Sequence, residues 1–224
     1  MQNGNYAFYH NNTAHGDDTL LTRELSSNSV IDAVLDGVTI GRGSVASALV
    51  RDYLSNRRII SVGDVGRILK IANNHLGGKK RWEAATTATI ALKRNQQLYI
   101  VNIGDSPAYL VRGEEITELT TLDRDKSWPA NIEKAIGMGT GFRYHTNRIE
   151  LQPGDKIILL TDGIFDNIYP EEIAGVVNEN KTPQEAVRAL ELLLTEKESS
   201  NQGRRDVFGR FKPDDATAII RYLI

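Results

Sequence analysis

The chain has 224 residues, the length of one large domain or two small ones, and we expect a single domain over residues 1–224. It contains no cysteine, which excludes disulfide scaffolds, thiolate zinc sites, iron–sulfur clusters and cysteine nucleophiles. Lys and Arg number 27 and Asp and Glu 29, so the net charge of −2 offers no basic excess for a nucleic-acid partner.

The N-terminal sequence, residues 1–18, is polar and lacks the apolar segment of a secretory signal. The longest apolar runs, such as Ile157–Leu160, are far too short to span a bilayer. We therefore expect a cytoplasmic protein without a membrane anchor.

The secondary-structure patterns follow the chain in the order β, αα, β, αα, β. Short apolar or β-rich runs predict strands over Tyr6–Tyr9, Asp18–Thr22, Val30–Asp36, Ala88–Leu92, Gln97–Ile103, Ala108–Arg112, Ile116–Thr120, Lys156–Thr161 and Ala216–Tyr222. Helical spacing of apolar residues predicts helices over Ser44–Leu54, Val62–Leu76, Pro170–Val177 and Thr182–Leu194. Two polar segments, Asp123–Thr146 and Glu196–Lys212, predict surface loops. Helical pairs separated by antiparallel runs do not alternate as βαβ units do, which favours an α+β fold of stacked layers.

Aspartates stand at the ends of several apolar strands that lie far apart in the sequence. The positions are Asp17, Asp18, Asp36, Asp105, Asp162, Asp214 and Asp215. A carboxylate beside a buried strand is costly unless it is paired or bound to a cation, and carboxylates suit Mg²⁺ or Mn²⁺. A single aspartate is more often a turn or cap residue. Position alone therefore leaves a divalent-metal site and a set of turn residues both open.

At these aspartates the chain resembles the metal-dependent serine/threonine protein phosphatases of type 2C, the PPM family, in a compact form like the bacterial and archaeal members. The motifs lie in family order over nearly the whole chain. They are Asp17-Asp18, Asp36-Gly37, Thr86-Thr87-Ala88-Thr89, Asn102-Ile103-Gly104-Asp105-Ser106-Pro107-Ala108-Tyr109, Ala135-Ile136-Gly137, Leu160-Thr161-Asp162-Gly163-Ile164-Phe165-Asp166 and Asp214-Asp215-Ala216-Thr217.

The resemblance implies a four-layer α-β-β-α sandwich, with two central antiparallel sheets flanked by helical pairs. It implies two Mg²⁺ or Mn²⁺ ions and a catalytic set of Asp36, Asp162 and Asp214. The implied metal ligands are Asp18, Asp36, the Gly37 carbonyl, Asp105, Asp162 and Asp214. It further implies that Asp17, Asp166 and Asp215 act through waters or at a third, weaker ion beside Asp105. The implied reaction is hydrolysis of phosphoserine and phosphothreonine by a metal-bridging water.

The chain departs from the family pattern where phosphate is recognised. No arginine precedes the acidic pair, Val38-Thr39-Ile40 replaces a histidine or methionine and two glycines, and Pro107 replaces an arginine. The phosphate-binding group is therefore unknown. The candidates to replace it are His15, Arg23 and Arg42.

The resemblance implies phosphoprotein substrates of a serine/threonine kinase, no nucleic-acid or membrane partner, and a monomer. A pseudophosphatase, which binds a phosphoprotein without turnover, is the alternative that the missing arginine suggests. A phosphatase of small phosphate esters is a second alternative. Asp123–Thr146 stands where the family carries a mobile flap, and a substrate-selecting flap and a solvated loop both remain open.

Overall fold

The computed structural model describes residues 5–39, 41–77, 83–125, 132–139, 141–200 and 213–223. In this part of the chain ten strands form two antiparallel five-stranded sheets. The strands are β1 (Tyr6–Asn11), β2 (Thr19–Ser26), β3 (Ser29–Leu35), β4 (Ala88–Arg94), β5 (Gln97–Ile103), β6 (Ala108–Arg112), β7 (Glu115–Glu118), β8 (His145–Glu150), β9 (Lys156–Leu160) and β10 (Ala216–Tyr222). Their order is β1-β10-β9-β6-β7 in the first sheet and β2-β3-β4-β5-β8 in the second.

The helices cover the outer faces of the two sheets. They are α1 (Gly43–Asn56), α2 (Val62–Leu76), α3 (Asp162–Phe165), α4 (Pro170–Glu179) and α5 (Pro183–Ser200). Residues of α1 and α2 pack with β3, β4 and β5, whereas residues of α4 and α5 pack with β6, β9 and β10. The predicted four-layer α-β-β-α sandwich is therefore confirmed.

A third apolar cluster fills the space between the sheets. Val34, Ala91 and Ile100 of the second sheet meet Leu159 and Ile219 of the first, and all five are buried. Because strand side chains alternate between faces, each sheet supplies one set of residues to this layer and another to the helices. The sheets are thereby fixed face to face, with their strand ends aligned.

One end of the sandwich collects the chain segments that carry the predicted aspartates. At this end β3, β5 and β9 finish and β6 and β10 begin, because antiparallel pairing places Thr19 opposite Leu35 and Ala218 opposite Leu160. The opposite end carries the β2–β3 and β4–β5 hairpins. Residues remote in sequence thus meet at a single edge.

The structure corrects the loop predicted over Asp123–Thr146. Its last residues begin strand β8, whose sequence carries no apolar run because its side chains are mostly exposed. Ile136 is fully buried and pairs through its backbone with Thr86, and Asp123 is also buried. Residues 126–131 and 140 of this segment lie outside the described residues.

The structure also changes the predicted secondary structure at two helices, α5 and α3. Helix α5 continues to Ser200, so the start of the loop predicted over Glu196–Lys212 is helical, and residues 201–212 lie outside the described part of the chain. The short helix α3 follows β9 where the sequence predicts only a strand end. No helix in the described ranges is both long and apolar enough to cross a bilayer.

Candidate active site

Asp36 lies at the centre of an acidic cluster at the end of β3. Desolvation raises its pKa well above the usual range, and the negative charges of Asp162, Asp18, Asp105 and Asp214 raise it further. Because the effect of a charge on a pKa weakens with distance, these four carboxylates lie within electrostatic range of Asp36. The predicted aspartates that flank β2, β3, β9 and β10 or lie in the β5–β6 turn are therefore all within electrostatic range of Asp36.

Asp18 connects the two sheets beneath this cluster. Its side chain is 4% exposed, and its Oδ2 accepts hydrogen bonds from the hydroxyls of Thr161 at 2.8 Å and Thr217 at 2.7 Å. Its Oδ1 is buried without a hydrogen-bond partner. Burial raises the pKa of Asp18 to about 8, against the lowering effect of both threonines. A buried, unsatisfied carboxylate oxygen is the kind of atom that a cation would satisfy.

Asp215 organises the loop that leads into β2. Its carboxylate accepts backbone N–H groups from Ala14 at 3.0 Å, His15 at 3.0 Å and Asp17 at 2.8 Å. These hydrogen bonds hold the pKa of Asp215 below its usual value although burial opposes them. Its carboxylate thus has a defined role in folding this loop toward Asp18.

Asp17 joins the same loop to the start of α1. Its Oδ1 accepts the backbone N–H of Ser44 at 2.8 Å, in the first turn of that helix, where a negative charge is favourable. Its backbone carbonyl accepts the Ser47 hydroxyl at 2.7 Å. Asp17 therefore positions α1 against the loop that leads to Asp18.

Gly37 is required by backbone packing. A Cβ at this position would lie 2.5 Å from the Gly43 carbonyl carbon and 2.6 Å from the Asp17 carbonyl oxygen. The segment is also tied to the second sheet, since the Asp36 carbonyl accepts from Thr87 N–H and the Thr86 hydroxyl, both at 2.8 Å. The Asp36-Gly37 turn is thus held rigidly at the cluster.

Asp105 and Asp166 face a cation supplied by the chain itself. The Arg124 guanidinium places Nε 3.1 Å from Asp105 Oδ2 and Nη1 2.8 Å from Asp166 Oδ1. Burial and the charge of Asp162 raise the pKa of Asp105 to about 7, although Arg124 lowers it. Sequence reasoning missed Arg124, because its contact with Asp166 spans 42 residues and no local pattern marks it.

The cluster fits hard divalent ions in its chemistry. All its donors are carboxylate or carbonyl oxygens, and the orphaned Asp18 Oδ1 and the raised pKa values of Asp36 and Asp105 all favour added positive charge. Among the described residues no three His, Asp or Glu side chains already stand in the spacing of a complete metal cage.

The three candidates to replace the phosphate-binding arginine have different surroundings. Arg23 is committed to the fold, because its Nη1 donates to the carbonyls of Leu54 at 2.6 Å and Arg57 at 3.0 Å. His15 lies at the cluster, with Nε2 3.7 Å from Asp214 Oδ1. Arg42 is exposed just before α1. Arg23 is thus unsuited to this role, and His15 and Arg42 remain.

Comparison with known proteins agrees with this geometry. Residues 42–220 match the family model described as Stage II sporulation protein E (SpoIIE). The chain belongs to the SpoIIE family. Its sequence relatives include a probable protein phosphatase 2C, BIPP2C1, of Oryza sativa subsp. japonica, 36% identical over 101 residues that make up 45% of this chain. Another is probable protein phosphatase 2C 62 of Arabidopsis thaliana, 28% identical over 154 residues, or 64% of this chain. The predicted resemblance to type 2C phosphatases is confirmed.

The SpoIIE-family chain spans 17% and 20% of the lengths of these two relatives. Its fold is similar to that of the serine/threonine phosphatase Stp1 from Staphylococcus aureus, with a TM-score of 0.81 and 19% identity over 98% of this chain and 94% of that one. It is also similar to PstP/Ppp from Mycobacterium tuberculosis, with a TM-score of 0.75 and 21% identity over 97% of both chains. These likenesses establish the sandwich fold.

Proposed function

We propose that this SpoIIE-family chain is a metal-dependent protein phosphatase that hydrolyses phosphoserine and phosphothreonine. The observation that carries the proposal is the acidic cluster around Asp36, in which desolvation and mutual repulsion raise carboxyl pKa values at one end of the sandwich. Such a cluster costs stability unless positive charge enters it, which supports a cation-dependent reaction.

Asp36, the Gly37 carbonyl, Asp162 and Asp214 would hold two Mg²⁺ or Mn²⁺ ions, and the unsatisfied Oδ1 of Asp18 would offer a further ligand. When bound, such ions lower the pKa of a coordinated water and neutralise charge on the phosphoryl oxygens. Asp36, whose pKa is raised by burial and by the charges of the other acids, would be the carboxylate that gains most from the bound cations. Thr161 and Thr217 hold Asp18 in place, and Asp215 shapes the loop above it.

The phosphate monoester would approach over the exposed side of the cluster. His15 is 39% exposed in its side chain and stands beside Asp214, so it is placed to donate a hydrogen bond to a phosphoryl oxygen. Arg42, exposed before α1, offers a second positive charge. These two residues would share the task that one arginine performs in the family.

The proposal extends to the setting of the reaction. The substrates would be phosphoproteins of a serine/threonine kinase, the protein a cytoplasmic monomer acting in signalling, and residues 1–224 a single domain. Residues 123–146 would form a flap-like insertion beside the site. Support for the flap comes from Arg124, since this residue of the insertion contacts Asp105 and Asp166.

The deciding experiment measures hydrolysis of p-nitrophenyl phosphate and of a phosphothreonine peptide with Mn²⁺ and with EDTA. Asp36→Asn and Asp162→Asn should each lower kcat by about a thousandfold or more, because each removes charge that the ions require. The matched control is Asp52→Asn, an exposed aspartate of α1 that forms an ion pair with Arg51.

Full activity in EDTA, or in the Asp36→Asn protein, would refute the proposal. Tight binding of a phosphoprotein without Mn²⁺-dependent turnover would establish a pseudophosphatase instead. Faster turnover of small phosphate esters than of phosphopeptides would identify the second alternative.

A further inference from the structure

Arg124 is an unusual component of an acidic site. Its side chain is 13% exposed, and its guanidinium bridges Asp105 and Asp166, which are themselves buried. It also lies over the Phe165 ring, 5.2 Å from the centroid. A buried arginine held by two carboxylates and an aromatic face has a fixed position.

The neighbouring Asp123 anchors the segment that carries this arginine. Its carboxylate accepts the Gly104 N–H at 3.1 Å and contacts Lys134 and His145 Nε2, the latter at 3.1 Å. Its backbone bonds to Gly104 and to Glu133. The backbone of Arg124 then pairs with Ile132. The hydrogen bonds of Asp123 and the backbone pairing of Arg124 therefore fix the position of the guanidinium beside Asp105 and Asp166.

We propose that the Arg124 guanidinium occupies the place of a third metal ion, so that the site works with two ions and one internal cation. This inference rests on the proposed function. The positive charge of the guanidinium lies about 3 Å from one oxygen of Asp105 and one of Asp166, so it neutralises these carboxylates and repels a further cation at the same place. We therefore expect a third ion to bind beside Asp105 and Asp166 only when the guanidinium is removed.

The expected consequence is a fixed ion stoichiometry. The wild-type protein should bind two Mn²⁺ ions across a concentration range well beyond saturation of both. Arg124→Gln removes the positive charge that lies against Asp105 and Asp166, so it should bind a third, weaker Mn²⁺. Arg124→Lys keeps a positive charge and should stay at two.

The experiment counts bound Mn²⁺ by equilibrium dialysis and by the paramagnetic resonance of the free ion, in the full chain without substrate. Arg124→Gln/Asp166→Asn is the matched control and should lose the third ion, because one of its two carboxylates is gone. Far-ultraviolet circular dichroism checks that each variant is folded.

Three bound ions in the wild type, or two in Arg124→Gln, would overturn the proposal. In the second case a raised KM for p-nitrophenyl phosphate with unchanged kcat would assign Arg124 to phosphate binding. A wild-type protein that binds no Mn²⁺ at all would refute the proposed function as well, whereas the other outcomes leave that function standing.

Discussion

Asp32 and Arg221 form an ion pair between the two sheets, remote from the acidic cluster. The Arg221 guanidinium donates from Nε at 2.6 Å and from Nη2 at 2.7 Å, and the Thr22 hydroxyl also donates to Asp32 at 2.6 Å. Both charged residues are buried, at 2% and 3% exposure. Their geometry is bidentate and nearly saturated, which compensates the cost of removing two charges from water.

Asp32→Asn should therefore lower the free energy of unfolding by about 3 kcal/mol, because it leaves the guanidinium buried without a counter-charge. Urea denaturation followed by circular dichroism measures the change. Asp52→Asn, which breaks an exposed pair with Arg51, should change the same quantity by about 0.5 kcal/mol or less.

The double variant Asp32→Leu/Arg221→Met tests whether the loss comes from the unpaired charge. It should recover most of the stability, since an apolar pair of similar volume removes both desolvation costs. A double variant as unstable as Asp32→Asn would contradict this account and assign the effect to packing.

At the scale of elements, Gly163 controls how closely α3 approaches the start of β10. A Cβ at Gly163 would lie 2.1 Å from the Asp215 carbonyl oxygen, a contact that the backbone must relieve by moving. Gly163→Ala should therefore separate Asp162 from Asp214 and weaken Mn²⁺ binding at least tenfold, as measured by calorimetric titration. Gly175→Ala in α4 meets open space and should bind Mn²⁺ normally, with stability raised by about 0.5–1 kcal/mol. Equal Mn²⁺ affinity in the two variants would show that this contact does not shape the site.

The elements also show what the sequence could and could not predict. Helix α2 runs over the predicted residues Val62–Leu76, because its apolar stripe and the Ser61–Asp64 capping box are both local signals. Strand β8 was not predicted, because the sequence of a mostly exposed edge strand lacks the alternation of apolar and polar residues that indicates a strand. The acidic residues were found from their motifs, but the Arg124 contacts depend on tertiary folding, which no local pattern encodes.

At the scale of the whole molecule, the acidic cluster makes the stability of the metal-free protein depend on pH. The folded pKa is about 8 for Asp18 and about 7 for Asp105, with desolvation as the main cause, against 3.8 without the fold. At a pH between 3.8 and the folded pKa, the carboxyl groups of Asp18 and Asp105 are protonated in the folded state but ionised in the unfolded state. The metal-free protein therefore loses stability from this cluster as pH rises from about 4 to about 8.

We accordingly expect the free energy of unfolding in EDTA to fall between pH 5 and pH 8. Asp18→Asn should flatten this dependence and stabilise the metal-free protein at pH 8 by at least ~1 kcal/mol, because a neutral amide avoids the cost of burying a carboxylate and takes no part in the repulsion. Saturating Mn²⁺ should reverse the order at pH 8: the wild type gains about 2.7 kcal/mol at a hundredfold excess over Kd, while the variant, with a weaker site, gains less. Urea titrations of the wild type and of Asp18→Asn at pH 5 and pH 8, with EDTA and with Mn²⁺, measure these free energies of unfolding. A wild-type protein whose metal-free stability does not change with pH would show that these carboxyl groups are neither desolvated nor repelled by one another, and the cation site would lose its physical basis.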